Sequence, residues 1–138
     1  MSEREILVID DDPIILMIHQ AVLELALPGI TCRYFEDAGD ALLYLEGQAK
    51  SDKKFLLFLD INMPMISGWD LLEEINDSNF KDNISVVMVT SSVNESDKIK
   101  ANTYGNIYDF ISKPLKQEYI DKLKNIEEIR PFVSQQTD

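Results

Sequence analysis

Short apolar runs that end in polar or acidic residues recur along the chain. Each run is too short for a buried helix and is typical of a strand that is covered on both faces of a parallel sheet. The predicted strands are residues 5–10, 30–35, 55–60, 85–90 and 107–112. The segments between them carry apolar residues at helical spacing instead, so the chain alternates between strands and helices.

The first predicted helix begins at Pro13, with Asp12 as its N-cap, and has apolar residues at helical spacing. Those apolar residues are Ile15, Ile18, Val22 and Leu25. Later helices are predicted after Glu36 or Asp37, either of which can be the N-cap, from Trp69, over residues 94–104 and over residues 116–129. The helix over 94–104 has few apolar anchors, and we expect it to be the least firmly packed.

Five strands alternating with five helices predict an α/β fold with a doubly wound parallel sheet of strand order 2-1-3-4-5. A chain of 138 residues is long enough for one domain with a substantial core. We expect residues 1–138 to form that single domain, with a core of about residues 4–129 and a short tail over 130–138.

The composition limits the classes of molecule that the protein is expected to bind and the compartment in which it is expected to lie. Lys and Arg total 13 against 25 Asp and Glu, which gives a formal net charge of −12. An acidic surface repels a phosphate backbone, so we expect no direct nucleic-acid binding. The lone Cys32 excludes an internal disulfide. There is no signal-peptide pattern and no apolar run near the roughly 18 residues of a membrane span, which predicts a cytoplasmic protein.

Acidic residues end the first and third predicted strands. In the predicted strand order, Asp10, Asp11 and Asp60 meet where the strand order reverses, beyond the carboxyl ends of the strands. Unit charges about 4 Å apart repel by roughly 4 kcal/mol at an effective dielectric constant near 20. Either the pKa values of these carboxyl groups rise, or a hard divalent cation such as Mg²⁺ or Mn²⁺ binds among the oxygens.

The fourth and fifth predicted strands contribute a hydroxyl and an ammonium group at the same edge. Thr90 ends the fourth strand and Lys113 follows the fifth. Together with the acidic residues they provide a carboxylate nucleophile, a metal site, a hydroxyl donor and a cation. This set of groups indicates phosphoryl transfer to a carboxylate.

Five motifs in order along the chain resemble those of the response regulator receiver domain. They are Ile-Leu-Val-Ile-Asp-Asp-Asp-Pro at 6–13, Leu-Asp-Ile-Asn-Met-Pro at 59–64, Gly68, Met-Val-Thr-Ser at 88–91 and Phe-Ile-Ser-Lys-Pro-Leu at 110–115. The resemblance covers about residues 4–129 and implies the flavodoxin-like (βα)5 fold. It also implies a two-component signalling protein rather than an enzyme that turns over external substrates.

The resemblance implies a role for each acidic residue of the pocket. Asp60 would be the phosphoacceptor and would also bind Mg²⁺, or Mn²⁺ in its place. Asp11 would ligate the metal directly, Asp10 would act mostly through a metal-bound water, and Asn62 would contribute its backbone carbonyl.

The resemblance also implies a switch. Thr90 would turn its hydroxyl onto the phosphoryl group, Lys113 would pair with a phosphoryl oxygen, and Phe110 would be the aromatic residue that rotates inward. Phe110 lacks the phenol that is common at this position. The outcome would be a changed surface on the fourth helix, fifth strand and fifth helix. The Lys113–Pro114 bond would be cis.

The implied phosphodonor is a sensor histidine kinase or a histidine phosphotransfer protein. Only nine residues follow the last predicted helix, so we expect a stand-alone receiver that signals to a downstream protein or passes the phosphoryl group on. A homodimer is compatible with the sequence. One alternative is a receiver-like module that binds proteins without being phosphorylated. Another is an aspartate-nucleophile phosphatase, which would need a second Asp where Asn62 stands.

Several residues that could carry chemistry have simpler interpretations. We interpret Asp12 as a helix cap, His19 as a surface or core residue, Cys32 as a small strand residue and Trp69 as a packing residue. Ser92, with Asn62, is expected to influence how fast an acyl phosphate hydrolyses.

Overall fold

The computed structural model describes residues 3–91 and 94–134. The described residues form a five-stranded sheet of parallel strands in the order β2-β1-β3-β4-β5. The strands are β1 (Arg4–Ile9), β2 (Cys32–Phe35), β3 (Lys54–Leu59), β4 (Ile84–Thr90) and β5 (Ile107–Ser112). This order confirms the doubly wound α/β fold predicted from the apolar runs.

Helices cover both faces of the sheet. They are α1 (Pro13–Ala26), α2 (Ala38–Gly47), α3 (Gly68–Asn76), α4 (Glu95–Ala101), α5 (Gln117–Leu123) and α6 (Arg130–Val133). Residues of α2 and α3 pack with strand residues such as Leu57 and Leu59 on one face. Residues of α1, α5 and α6 pack with Leu56 and Phe58 on the other face. Alternate residues of β3 therefore serve two separate cores, as expected for a strand in the middle of a parallel sheet.

The N-cap predicted for the first helix is confirmed. The side chain of Asp12 accepts hydrogen bonds from the backbone N–H groups of Ile14 and Ile15. Pro13 occupies the first turn, where its missing N–H is not needed. The Asp12 cap thus fixes the connection between β1 and α1. The position of the neighbouring acidic residues depends on this connection.

The face that α1 buries differs from the predicted one. Ile18 and Leu25, two members of the predicted apolar stripe, are 40% and 84% exposed. The buried residues of α1 are Leu16, His19 and Leu23. Apolar residues occur around much of the circumference of this helix, so helical spacing alone does not select the face that packs.

The end of the chain also differs from the prediction of one helix over residues 116–129. Helix α5 ends at Leu123, turns follow, and α6 begins at Arg130. The core continues past residue 129, because Phe132 and Val133 are both buried. The Arg130 guanidinium donates through Nε to the carbonyl oxygen of Lys124 at 2.7 Å, which supplies a partner for a carbonyl just beyond α5.

Two other elements are shorter than predicted. Strand β2 begins at Cys32 rather than residue 30, because the Ile30 N–H donates to the Leu27 carbonyl in the turn after α1. Helix α4 ends at Ala101, since Tyr104 N–H bonds to the Ala101 carbonyl in a tighter turn. Within α4, Ala101 is the one buried residue, which agrees with the weak packing expected of this helix. No helix in residues 3–91 and 94–134 is long and apolar enough to cross a membrane.

Candidate functional site

Backbone hydrogen bonds between neighbouring strand ends bring the predicted site residues to one edge of the sheet. The Asp60 N–H donates to the Ile9 carbonyl at 3.0 Å, which places the end of β3 beside the end of β1. The Lys113 N–H donates to the Thr90 carbonyl at 2.9 Å, which does the same for β5 and β4. The register of the parallel strands therefore brings the residues that follow β1, β3, β4 and β5 to the same edge of the sheet.

Three carboxylates form the acidic centre of this edge. Asp10, Asp11 and Asp60 each offer an oxygen that lies within 4.8 Å of the others. Asp10 and Asp60 are buried, whereas Asp11 is exposed. Asp60 Oδ1 is also buried and has no hydrogen bond of standard geometry within the described residues. A buried carboxylate oxygen without a donor, next to two further carboxylates, fits a divalent cation such as Mg²⁺ or Mn²⁺.

Lys113 partly balances the charge of this cluster. Its Nζ lies 2.6 Å from Asp10 Oδ2 and 3.2 Å from Asp60 Oδ2. The side chain is 11% exposed, so these ion pairs are largely shielded from water. One ammonium facing three carboxylates leaves a negative site, which favours a cation as a further partner.

The pKa of Asp60 reflects this surplus of negative charge. Burial and then the nearby Asp10 carboxylate raise its pKa to about 6, against the opposing effects of Lys113 and of the Asn62 backbone N–H. Burial disfavours the charged form of Lys113, but its ion pairs with Asp10 and Asp60 outweigh this effect and raise the pKa of the ammonium. The lysine is therefore charged at neutral pH.

Gly68 allows the first turn of α3 to approach the backbone of Asp60. The Gly68 N–H donates to the Ile61 carbonyl at 2.9 Å. A Cβ at position 68 would overlap the carbonyl oxygen of Asp60 and would lie 3.0 Å from the Cα of Ile61. Only glycine fits this close approach. The sequence indicated Gly68 as part of a motif, and the structure gives the physical reason for it.

The remaining predicted site residues lie around the pocket at different depths. Thr90 is buried at the end of β4, and Asn62 is exposed in the connection after β3. Phe110 on β5 is half-buried against the core cluster that also contains residues of α2 and α3. The Lys113–Pro114 bond is cis, as predicted. Ser92 lies outside the described residues.

His19 lies in the core, one of the two places expected from the sequence, but its polar partner was not predicted. It is 1% exposed, and its Nε2 accepts a hydrogen bond from the Leu115 backbone N–H at 3.1 Å. The available signal was its position between Leu16 and Leu23, where a polar residue interrupts an apolar stripe. Helical spacing could show that His19 is buried but not which group it meets.

Comparison with known proteins places the chain in a family. Residues 6–125 match the response regulator receiver domain. The two-component response regulator ARR2 of Arabidopsis thaliana is 32% identical over 127 residues, which are 91% of this chain and 17% of that protein's length.

Solved structures agree with this assignment. The bacteriophytochrome response regulator AtBRR has a TM-score of 0.76 at 26% identity, with 100% of both chains covered. A two-component response regulator from Cytophaga hutchinsonii has a TM-score of 0.80 at 23% identity, with 91% of this chain and 96% of that one covered, and supports the fold alone.

The chain belongs to the response regulator receiver domain family of two-component signalling. Members of this family are signalling domains rather than enzymes in the usual sense, and they bind Mg²⁺ at an acidic pocket. In this chain, Asp10, Asp11 and Asp60 form the cluster that could hold such an ion.

Proposed function

We propose that this protein accepts a phosphoryl group on Asp60 from a phosphohistidine donor, a sensor histidine kinase or a histidine phosphotransfer protein. A carboxylate oxygen of Asp60 forms the new O–P bond. The N–P bond of the donor breaks, and its electron pair returns to the imidazole nitrogen. The observation that carries this proposal is the meeting of Asp60 with Asp10, Asp11 and Lys113 at the carboxyl edge of the sheet.

In this proposal the acidic residues and one backbone carbonyl would bind the metal ion. Asp11, Asp60 and the backbone carbonyl of Asn62 would hold Mg²⁺ directly, and Asp10 would act mostly through a water. When bound there, Mg²⁺ supplies positive charge next to the phosphoryl oxygens. Lys113 supplies a second positive charge, and its ion pair with Asp60 already holds it beside the phosphoacceptor. The hydroxyl of Thr90 then donates to a phosphoryl oxygen.

The output is a change in the surface formed by α4, β5 and α5. Phosphorylation adds about −1.5 to −2 charges at neutral pH, which Lys113 and Thr90 bind better in one arrangement of their loops than in the other. Movement of Thr90 makes room for Phe110 to turn inward from its half-buried position. The weak anchoring of α4, with Ala101 as its buried residue, supports a helix that can shift. A downstream protein recognises the new surface, or a second histidine takes the phosphoryl group.

Intact-protein mass spectrometry with acetyl phosphate and Mg²⁺ tests this function. We expect one base-labile phosphoryl group that depends on Mg²⁺ and is absent from Asp60→Asn. Asp12→Asn is the matched control, because it removes a neighbouring carboxylate while asparagine still caps α1. This control variant should be phosphorylated like the wild type.

The alternatives give different results in the same experiment. A wild-type protein that gains no adduct would act as a binding module without phosphorylation. Steady release of phosphate from unrelated phosphoesters would indicate a hydrolase instead.

A further inference from the structure

The contact between His19 and Leu115 joins α1 to the segment that leaves the pocket. Leu115 is two residues beyond Lys113 and two before the start of α5 at Gln117. Its side chain is buried, and its backbone N–H donates to His19 Nε2 at 3.1 Å in a buried setting. A buried backbone N–H needs an acceptor, and here a side chain from α1 provides it.

The protonation state of the His19 imidazole suits its role as a hydrogen-bond acceptor. Burial lowers the pKa of the imidazole to about 4, with Asp10 opposing that shift and Lys113 adding to it. A neutral imidazole has one acceptor nitrogen and one donor nitrogen, so a bond accepted at Nε2 leaves the proton on Nδ1. His19 Nδ1 is buried without a hydrogen-bond partner among the described residues. The bond to Leu115 is thus the polar contact that fixes the imidazole ring.

We propose that His19 is a positioning residue for Lys113, which acts by holding the backbone after β5 through Leu115. On one side of Lys113, its own N–H is fixed to the Thr90 carbonyl at 2.9 Å. On the other side, the bond from Leu115 to His19 is the matching restraint. With both restraints present, the ammonium reaches Asp10 and Asp60 at 2.6 and 3.2 Å. The effect of this geometry on phosphorylation rests on the proposed function of Asp60.

Two variants of similar shape distinguish the loss of the hydrogen-bond acceptor at position 19 from a loss of side-chain packing. His19→Gln keeps a side-chain oxygen that can accept from Leu115, whereas His19→Met has similar length and flexibility but only a weak acceptor. Both side chains can fill the site, and thermal unfolding establishes that each variant is folded. Leu16→Ala loosens the same buried face of α1 without removing the acceptor and serves as the packing control.

The first readout needs neither metal nor phosphoryl transfer. Lysine acylation followed by peptide mass spectrometry reports how well Lys113 is protected by its two ion pairs. We expect His19→Met to raise the acylation rate of Lys113 by about 10-fold, because the unpaired Leu115 N–H favours arrangements in which Lys113 leaves its ion pairs. His19→Gln and Leu16→Ala should leave Lys113 protected. Equal reactivity in the Gln and Met variants would overturn the proposal.

The second readout is the rate of phosphorylation by acetyl phosphate. His19→Met should slow it by roughly 10-fold, and His19→Gln should restore most of the rate. In a Lys113→Ala background, His19→Met should have no further effect, because the residue through which it acts is gone. An equal loss in both backgrounds would show that His19 acts by another route. If the wild type itself is not phosphorylated, the proposed function fails, while the acylation of Lys113 still decides the positioning role.

Discussion

The indole ring of Trp69 stacks on the phenol ring of Tyr104, with centroids 5.7 Å apart and planes inclined by 19°. Trp69 lies in the first turn of α3, and Tyr104 lies in the turn after α4. The ammonium of Lys100 lies 4.7 Å from the centroid of the indole, and the Tyr104 hydroxyl donates to Glu73 at 2.6 Å. The prediction that Trp69 packs is confirmed. Its contacts with Tyr104 and Lys100 connect α3 to the weakly buried α4.

Tyr104→Ala should loosen α4 while leaving the sheet intact. An aromatic pair contributes about 1 kcal/mol beyond its buried area, and the variant loses that contribution together with the bond to Glu73. Trp69 is the only tryptophan in the sequence, so its fluorescence should shift to longer wavelength as the ring becomes wetter. Tyr104→Phe keeps the stack and should leave the emission close to that of the wild type. An unchanged spectrum in Tyr104→Ala would mean that the stack does not shield Trp69 in solution.

Gly68→Ala should damage both stability and phosphorylation. The added Cβ would overlap the Asp60 carbonyl oxygen, so the start of α3 must move away from Asp60 at a cost of about 1–3 kcal/mol. Gly47→Ala is the matched control, because a Cβ there meets no heavy atom of the described residues within 4 Å. Urea unfolding of the two variants measures the difference. Equal stability of both would contradict the close approach at Gly68.

Asp60→Asn should stabilise the metal-free protein, and the gain should depend on pH. The pKa of Asp60 is raised from 3.8 to about 6 by burial and by Asp10. A raised pKa means that the folded state favours the protonated form. The contribution of Asp60 to stability is therefore fully present below about pH 4 and is lost as the pH rises through 6.

Urea unfolding in a chelator measures this effect as the stability of Asp60→Asn minus that of the wild type. The difference should grow by about 1–2 kcal/mol between pH 4 and pH 8, a range that allows for screening by water at the mouth of the pocket. Excess Mg²⁺ should reduce the difference at pH 8, since a bound cation stabilises the ionised carboxylates. A difference that stays flat across this pH range would contradict the raised pKa.

Phe132→Ala should destabilise the protein even though it lies beyond the matched family region of residues 6–125. Phe132 is buried in the same core cluster as Leu16 and Leu56, and removing a buried phenylalanine ring costs about 3–5 kcal/mol. Leu25→Ala on the exposed side of α1 should change stability by less than about 0.5 kcal/mol. Thermal or urea unfolding of the two variants tests whether α6 is part of the core.

The architecture and the acidic cluster could be predicted because they depend on local signals. Short apolar runs define the strands, and parallel strands bring their carboxyl ends to one edge, so Asp60 had to lie near Asp10 once the strand order was known. The functional roles of these residues remain predictions that the experiments above address.

Other features could not be predicted because they depend on tertiary packing. The bond between His19 and Leu115 joins residues 96 positions apart. The buried face of α1 was ambiguous, since Ile18 and Leu25 have the same spacing as residues that pack. The burial of Phe132 required a break after Leu123 that helical periodicity does not reveal.

The two ion pairs of Lys113 impose a compromise on this pocket. In the metal-free protein the ammonium acts as an internal counter-ion for Asp10 and Asp60, and its positive charge opposes the binding of a divalent cation at the neighbouring carboxylate oxygens. A variant without this charge would bind the cation more tightly and, in the proposed function, would also lose the group that pairs with a phosphoryl oxygen. If the proposed function holds, one side chain therefore limits the affinity of the pocket for a metal ion and at the same time prepares the pocket for the phosphoryl group.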